Sequence, residues 1–323
     1  MIPTPLVPDW PSAYPATGAS ARCKVRPEDF RVDEQLGFEP DGAGEHLLLR
    51  LCKTALTTRE VVDVLCRQLG VAPVAVGYAG LKDKLAVARQ WFSVHTALDA
   101  ATASARLQDV AGLQLEECTR NGRKLRRGQI AGNAFEIVLR DVRGEGWQAR
   151  LALIAGNGAP NYFGPQRFGR DNLDQAAAWL AQGRRRRLSR FRQGLYLSVL
   201  RSFLFNEVLA ARIRDGSWCV PLEGESVPVA ALWGRGRSLA VGDALALEQA
   251  ALAPWAALRD GLEHAGLVQA QRRLVLLPQN LQWSQAGADL SLSFQLPPGG
   301  YATTLLGEAF ALSLPAVAGR EAA

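Results

Sequence analysis

Apolar and polar residues alternate along some short stretches of this chain and recur every three to four residues along others. Residues 22–34 alternate through Val25 and Val32, and residues 46–53 carry the run Leu47-Leu48-Leu49-Arg50-Leu51; both predict strands. Residues 90–94, 113–118 and 134–142 predict three more. In the last of these, Phe135, Ile137 and Leu139 share one face, and Glu136, Val138 and Arg140 the other. Helical spacing appears between the strands. Thr57 and Glu60 form a capping box, Val61, Val62, Leu65 and Leu69 follow on one stripe, and Gly70 ends the run. Residues 98–110 predict an alanine-rich helix. Strands interspersed with helices in this way predict an α+β domain built on a mixed sheet.

Gly156-Asn157-Gly158-Ala159-Pro160 interrupts the pattern with loop chemistry, and a domain boundary is expected there. Beyond it, residues 173–181 predict a helix. Residues 194–214 predict a longer one, with Leu197, Leu200, Leu204 and Val208 on one stripe. Short strands punctuated by Gly and Pro are expected over 218–247, and a helix over 255–265. Strand grammar returns at 289–296, where Leu290, Leu292, Phe294 and Leu296 alternate with Ser291, Ser293 and Gln295. That strand is expected to rejoin the first sheet. The organisation is then a first domain made of 1–158 and 278–323, interrupted by an inserted domain over 159–277. The first twenty residues, rich in Pro, Ala and Ser, are expected to form an irregular arm. No internal repeat is found.

Composition narrows the classes. At 323 residues and 48% hydrophobic, the chain can bury two cores. Its net charge of +6 is clustered: Arg184, Arg185, Arg186, Arg187, Arg190 and Arg192 form one group, and Arg120, Arg123, Lys124, Arg126 and Arg127 a second. Runs made of Arg more than Lys, inside apolar sequence, favour phosphate contact over a merely solvated face. Five widely spaced cysteines without a C-x-x-C pair, and three scattered histidines, indicate neither a disulfide framework nor a zinc site. The amino-terminal segment lacks the layout of a signal peptide, and no apolar run long enough to span a membrane is expected. The chain therefore reads as soluble and cytoplasmic. It is silent on oligomeric state, for which a monomer is the default expectation.

Candidate chemistry centres on Gly80-Leu81-Lys82-Asp83-Lys84. Positive neighbours favour the ionised form of Asp83, which suits a nucleophile better than a general acid. The plain alternative is an exposed Asp in a charged turn. Asn161-Tyr162-Phe163-Gly164-Pro165-Gln166-Arg167-Phe168-Gly169 interleaves aromatic rings with amide and guanidinium groups. Such a run either stacks and reads bases while Arg167 holds phosphate, or is a hinge packed into the core. Asn133 either holds a base edge or caps a turn. Phe30, Phe135 and Tyr301, each beside a turn or strand start, are candidate platforms or core residues. No phosphate-cradling G-x-x-x-x-G-K-[ST] or G-x-G-x-x-G motif follows a strand, which argues against an enzyme of phosphorylated metabolites.

Together Arg26-Pro-Glu-Asp-Phe30, Gly80-Leu-Lys-Asp-Lys84, Gly132-Asn-Ala-Phe135, Asn161 to Gly169, and Pro297-Pro-Gly-Gly-Tyr-Ala-Thr303 resemble one family closely in order and spacing. It is the tRNA pseudouridine synthase D (TruD) family, which modifies uridine 13 of tRNA. The likeness spans nearly the whole chain, from about residue 25 to 310. It implies a catalytic mixed/antiparallel sheet domain with an inserted α+β domain and a cleft for tRNA between them. It also implies isomerisation of uridine to pseudouridine without metal or organic cofactor. Asp83 is then the nucleophile; Phe30, Asn133 and Tyr301 contact substrate; Phe135 packs on the target base. Lys24, just ahead of the Phe30 motif, is the candidate cationic partner of Asp83. Arg167 and Arg184, Arg185, Arg186 and Arg187 are expected along the RNA backbone. Three departures stand out. Leu85 replaces an aromatic or His, Tyr301 a commoner Phe, and Gly307 a usual Arg, which removes an expected phosphate contact. The competing reading is a non-catalytic RNA-binding protein or RNA chaperone, which leaves the Lys-Asp-Lys turn without a task.

Overall fold

The computed structural model describes residues 10–169, 171–183 and 187–315. Arg184, Arg185 and Arg186 lie outside the described residues. Strands β1 (Ser20–Arg22), β2 (Phe30–Leu36), β3 (His46–Thr54), β4 (Val76–Tyr78), β5 (Val87–His95), β6 (Leu113–Asn121) and β7 (Ile130–Arg143) come first, with helices α1 (Thr58–Leu69), α2 (Ala100–Leu107) and α3 (Trp147–Asn157). A middle region carries β8 (Ala159–Pro160), α4 (Asn172–Ala181), α5 (Arg190–Asp215), β9 (Val229–Leu232), α6 (Gly242–Leu252), α7 (Ala256–Glu263), β10 (Ala270–Arg273) and β11 (Val275–Leu276). β12 (Gln279–Ala286), β13 (Asp289–Leu296), α8 (Ala302–Gly307) and β14 (Ala311–Ser313) complete the chain.

The main sheet runs β12-β13-β7-β2-β5-β3-β6. β13 lies antiparallel beside β7, with Leu296 opposite Asn133, although the two are far apart in sequence. β2 and β5 are parallel, and the other neighbours along this path antiparallel, so the sheet is mixed. Alternation on β7 decides its faces. Phe135, Ile137 and Leu139 are buried with Leu290, Leu292 and Phe294 beneath α3 and α8, whereas Glu136 is exposed. The other half of this sheet buries Leu47, Leu49, Leu51, Phe92 and Val94 against α1 and α2. Thr57 caps α1 reciprocally with Glu60 (3.1 and 2.6 Å), and Gly70 ends it at φ 69°.

Four expectations change. The alternating stretch 22–34 is not one strand: Lys24 takes φ 59° and Pro27–Asp29 forms a 3₁₀ turn, so β1 and β2 are separate. Helix α5 begins at Arg190, because Ser189 Oγ accepts from Arg192 N at 3.2 Å; Gly194 lies inside the helix. Residues 242–247, expected within a strand region, instead open α6. By length and hydropathy alone α5 would suffice to cross a membrane, contrary to the expectation from sequence. Its most apolar window is 67% buried inside the protein, and Leu200, Phe203, Leu204 and Phe205 form the core of the middle region with Trp179 and Tyr196. That burial explains the hydropathy without a bilayer.

The arm over residues 10–18 is irregular but tied down on both sides. Trp10 packs on Tyr162 and Phe168 and donates to Glu207 Oε1 (2.8 Å), while Tyr14 OH reaches Gly158 O (2.8 Å). Ala13 N donates to Glu308 Oε2 (3.1 Å). Burial pushes the Glu308 carboxyl up to about 7, against the opposing pull of these backbone donors and Arg150. A raised carboxyl favours folding while both states hold the proton. That advantage is lost as pH climbs from the unfolded value near 4.5 to about 7, and the cost is fully present above it. Glu308→Gln is therefore expected to stabilise the protein at pH 8 by at most about 3 kcal/mol and to leave it unchanged near pH 4. Thermal melts of both proteins across this range check the sign. Gly307, by contrast, is exposed and a Cβ there would meet nothing within 4 Å, so the missing arginine leaves no void.

Candidate active site

The Asp83 turn joins β4 to β5 and is pinned from beneath by buried polar side chains. Thr58 Oγ1 accepts from Lys82 N (2.9 Å) and donates to Gln90 Oε1 (3.0 Å), and Gln90 Nε2 donates to Gly80 O (2.7 Å). Lys53, fully buried, donates to the carbonyls of Asp83 (2.7 Å) and Leu56 (2.6 Å). Burial lowers its ammonium to about 8, with the Asp83 charge pulling the other way. Four backbone groups around the turn thus have buried partners, which holds a loop of otherwise irregular chain.

Above this base, the Asp83 side chain is 46% exposed and pairs with Lys24 Nζ, whose own side chain is 7% exposed. Lys24 reaches it because its left-handed backbone turns the chain between β1 and β2. Its ammonium also lies 4.2 Å from the centre of the Phe30 ring, a cation–π contact. The turn before Phe30 is clamped by Asp29, which accepts from Arg26 N (3.0 Å) and from Arg140 Nε (3.0 Å).

Phe30 and Phe135 meet edge to face (5.9 Å), and Phe135 stacks on Phe294 (5.4 Å). Both are buried, so their rings form the floor under the Lys24–Asp83 pair and are largely covered by each other. Asn133 lies on the same face of β7, opposite Glu34 of β2 and Leu296 of β13. Its Oδ1 accepts from Lys82 Nζ at 2.5 Å. Lys82 also lies 2.8 Å from Glu34 Oε2, a contact of charges without an aligned hydrogen bond, and the Glu34 side chain has no exposure at all.

Tyr301 follows the turn out of β13, caps α8, and faces Phe163 edge to face at 6.2 Å. Arg272 latches that turn to the middle region. It donates to Gly299 O (3.0 Å) and to Asn161 O (3.2 Å) and stacks over Phe163 at 4.2 Å. Burial lowers its guanidinium to about 10, with Tyr301 opposing. The Asn161–Gly169 motif is accordingly a packed hinge: Tyr162 and Phe168 are core residues, and Asn206 brackets Phe163 through its backbone N–H and C=O. Arg167 is half-buried there, donating to Ser202 Oγ (3.3 Å), and burial lowers its guanidinium.

The two regions also meet beside the Asp83 turn. The Arg59 guanidinium lies 4.9 Å from the exposed ring of Phe191, and its neighbours Thr58 and Glu60 hold Lys82 and Lys84. Arg187, Arg190 and Arg192 cluster near that contact along the chain; Arg187 and Arg190 are exposed. Of the second basic group, Arg126 and Arg127 are exposed, but Arg120 and Lys124 are engaged with backbone carbonyls: Arg120 with Thr96 O (2.9 Å), Lys124 with Val74 O. That group divides into structural cations and exposed ones. A depression of about 380 Å³ on the sheet, lined by Arg31, Glu136, Trp283 and Ser293, touches none of the site residues.

Glu34, Lys53, Thr58, Gln90 and Arg272 escaped the reading of the sequence. Glu34 falls in phase with Phe30 and Val32, and Lys53 in phase with Leu47, Leu49 and Leu51. A charge at a core-phase position was the available signal in both.

The family profile described as tRNA pseudouridine synthase D (TruD) matches residues 13–184, more than half of the chain. The chain belongs to the TruD family. A tRNA pseudouridine synthase D of Methylococcus capsulatus is 43% identical to it, over 93% of this chain and 94% of that protein. One from Nitrosococcus oceani is 41% identical, over 90% of each. A solved structure of a TruD protein from Methanosarcina mazei superposes with a TM-score of 0.64 over 93% of this chain and 95% of that one. At 19% identity, that match shows the shared TruD fold: a mixed sheet domain with a second α+β region.

Proposed function

We propose that this chain isomerises uridine 13 of tRNA to pseudouridine, with Asp83 as the nucleophilic residue and without a cofactor. Membership of the TruD family supports the reaction class and the substrate class. The observation that carries the residue assignment is the exposed Asp83 carboxylate, paired with a buried lysine on a turn held by three buried contacts. A charged turn of no consequence would not be built on buried Lys53, Thr58 and Gln90. The first domain, 1–158 with 278–323, supplies Asp83, Lys24, Asn133 and Tyr301, and the insertion, 159–277, supplies the other wall of the cleft.

In the reaction the C1′–N1 bond breaks and a C1′–C5 bond forms; C5 loses its proton and N1 gains one, so no atom or electron is exchanged with a co-reactant. The uridine must leave its stack for a carboxylate to reach it. Asp83 acts on the everted nucleoside, held in place by Lys24. Asn133 and Tyr301 flank the base, above a floor of Phe30 and Phe135. Incubating the protein with unmodified tRNA and mapping pseudouridine by position tests the reading. Pseudouridine at position 13 is the expected result. Binding without any modification would favour the RNA-binding alternative.

Exposed arginines are expected to hold the backbone. Replacing Arg187, Arg190 and Arg192 together by Ala should weaken tRNA binding. It should also lower the slope of log affinity against log salt by up to about 3, roughly 0.9 per phosphate released. An unchanged slope would place these side chains outside the interface.

A further inference from the structure

We propose that the Glu34–Lys82 pair is a positioning device that turns the amide nitrogen of Asn133 outward, so that the site demands a carbonyl oxygen on the base it receives. The inference rests on the reading of the site as a uridine pocket and deepens it, by naming what selects the base.

An ammonium carries only donors, so the atom of Asn133 that faces Lys82 Nζ at 2.5 Å has to be the oxygen. The side-chain orientation, ordinarily ambiguous for an amide, is thereby decided by chemistry. Lys82 is in turn held by Glu34 Oε2 at 2.8 Å, and the second Glu34 oxygen accepts from Trp91 N at 3.2 Å. The Glu34 side chain is wholly buried and that of Lys82 8% exposed. Releasing Lys82 would therefore leave a buried charge unpaired, which keeps the lysine where it is.

With its oxygen taken, Asn133 presents Nδ2. Among the described residues no acceptor takes a hydrogen bond from that nitrogen. Asn133 is 93% buried by residue, yet Nδ2 keeps some exposure to solvent instead of being sealed in packing. An amide N–H there needs an acceptor. Uracil offers carbonyl oxygens at C2 and C4, whereas cytosine has an amino donor in place of the C4 oxygen. A donor aimed at the C4 oxygen rejects cytosine, because two buried donors are then left facing each other; a donor aimed at the C2 oxygen, which both bases carry, orients the ring without rejecting cytosine.

The test uses the full-length protein and tRNA bearing uridine, 2-thiouridine or 4-thiouridine at the target position, with kcat/KM as the readout. Sulfur is a poor acceptor, so at one of the two positions it should slow the wild-type enzyme roughly tenfold. That penalty should vanish in Asn133→Ala, which has no donor to lose. Equal penalties in both proteins, or none at either position, overturn the proposal.

A second cycle addresses the pair itself. Glu34→Gln with Lys82→Met removes both charges together and avoids a stranded carboxylate. In the wild-type background it should lower kcat/KM roughly tenfold, and in the Asn133→Ala background it should cost nothing further. Additive losses would show a merely structural pair and sink the proposal. If the double substitution does not fold, the thiouridine series still decides. Failure of the wild-type enzyme to form pseudouridine at all would defeat the parent reading instead, so the two failures are told apart.

Discussion

Asp83→Asn is expected to abolish pseudouridine formation while tRNA still binds. The substitution keeps the size of the side chain and the backbone contacts of the turn, since Lys53 and Thr58 hold main-chain groups and not the carboxylate. It removes only the charge that meets Lys24. Loss of a nucleophilic residue is expected to lower turnover by at least about 10³-fold. Affinity, which rests mainly on phosphate contacts, should move by no more than about threefold. Single-turnover conversion measured beside filter binding separates the two quantities. Turnover that survives would strip Asp83 of its role and return the Lys-Asp-Lys turn to ordinary surface.

Lys24→Met is expected to cripple the reaction without harming the fold. Lys24 places a nearly buried ammonium between the Asp83 carboxylate and the Phe30 ring. Met keeps the length and apolar stem and fits the same slot over Phe30, but leaves Asp83 free to swing through solvent. Loss of that orientation should reduce turnover by about 10²-fold. Stability should be unchanged or higher by about 1 kcal/mol, because an ammonium no longer has to leave water, and the half-exposed Asp83 loses little by standing alone. A melting curve beside an activity assay reads both. A drop in stability as large as the drop in activity would make Lys24 a structural residue.

Much of the architecture was legible because it is written in local periodicity. The capping box at Thr57 and Glu60, the faces of β7 and the strand at 289–296 all follow from spacing alone, and each element forms where its pattern indicates. Errors fell where local pattern and backbone geometry part. The alternation over 22–34 continues in sequence through Lys24, whose left-handed φ breaks the strand in space. Residues 242–247 read as strand where the chain begins a helix. At Asn161 to Gly169, where spacing left a base-stacking run and a packed hinge both open, Tyr162 and Phe168 are used for packing.

The candidate site divides along the same line. Asp83, Lys24, Phe30, Phe135, Asn133 and Tyr301 could be named from the chain, as residues of distinctive type in a recognisable order. Which of them touch could not. The Lys24–Asp83 and Lys82–Asn133 contacts join residues separated by 59 and 51 positions, and both exist only because β2, β5 and β7 share one sheet. Glu34 and Lys53 were passed over for the same reason. A buried charge is recognisable as such only when its partner is in view, and that partner comes from another strand or loop.

From sequence alone came the kinds of element, the family resemblance and the chemical types gathered for the site. Tertiary structure alone decided which cations bind protein and which stay exposed, and which rings pack and which stay open. The physical reason is range. Helical and strand periodicities act over a few residues, whereas pairing a charge or covering a ring depends on what distant segments of the chain bring within about 4 Å.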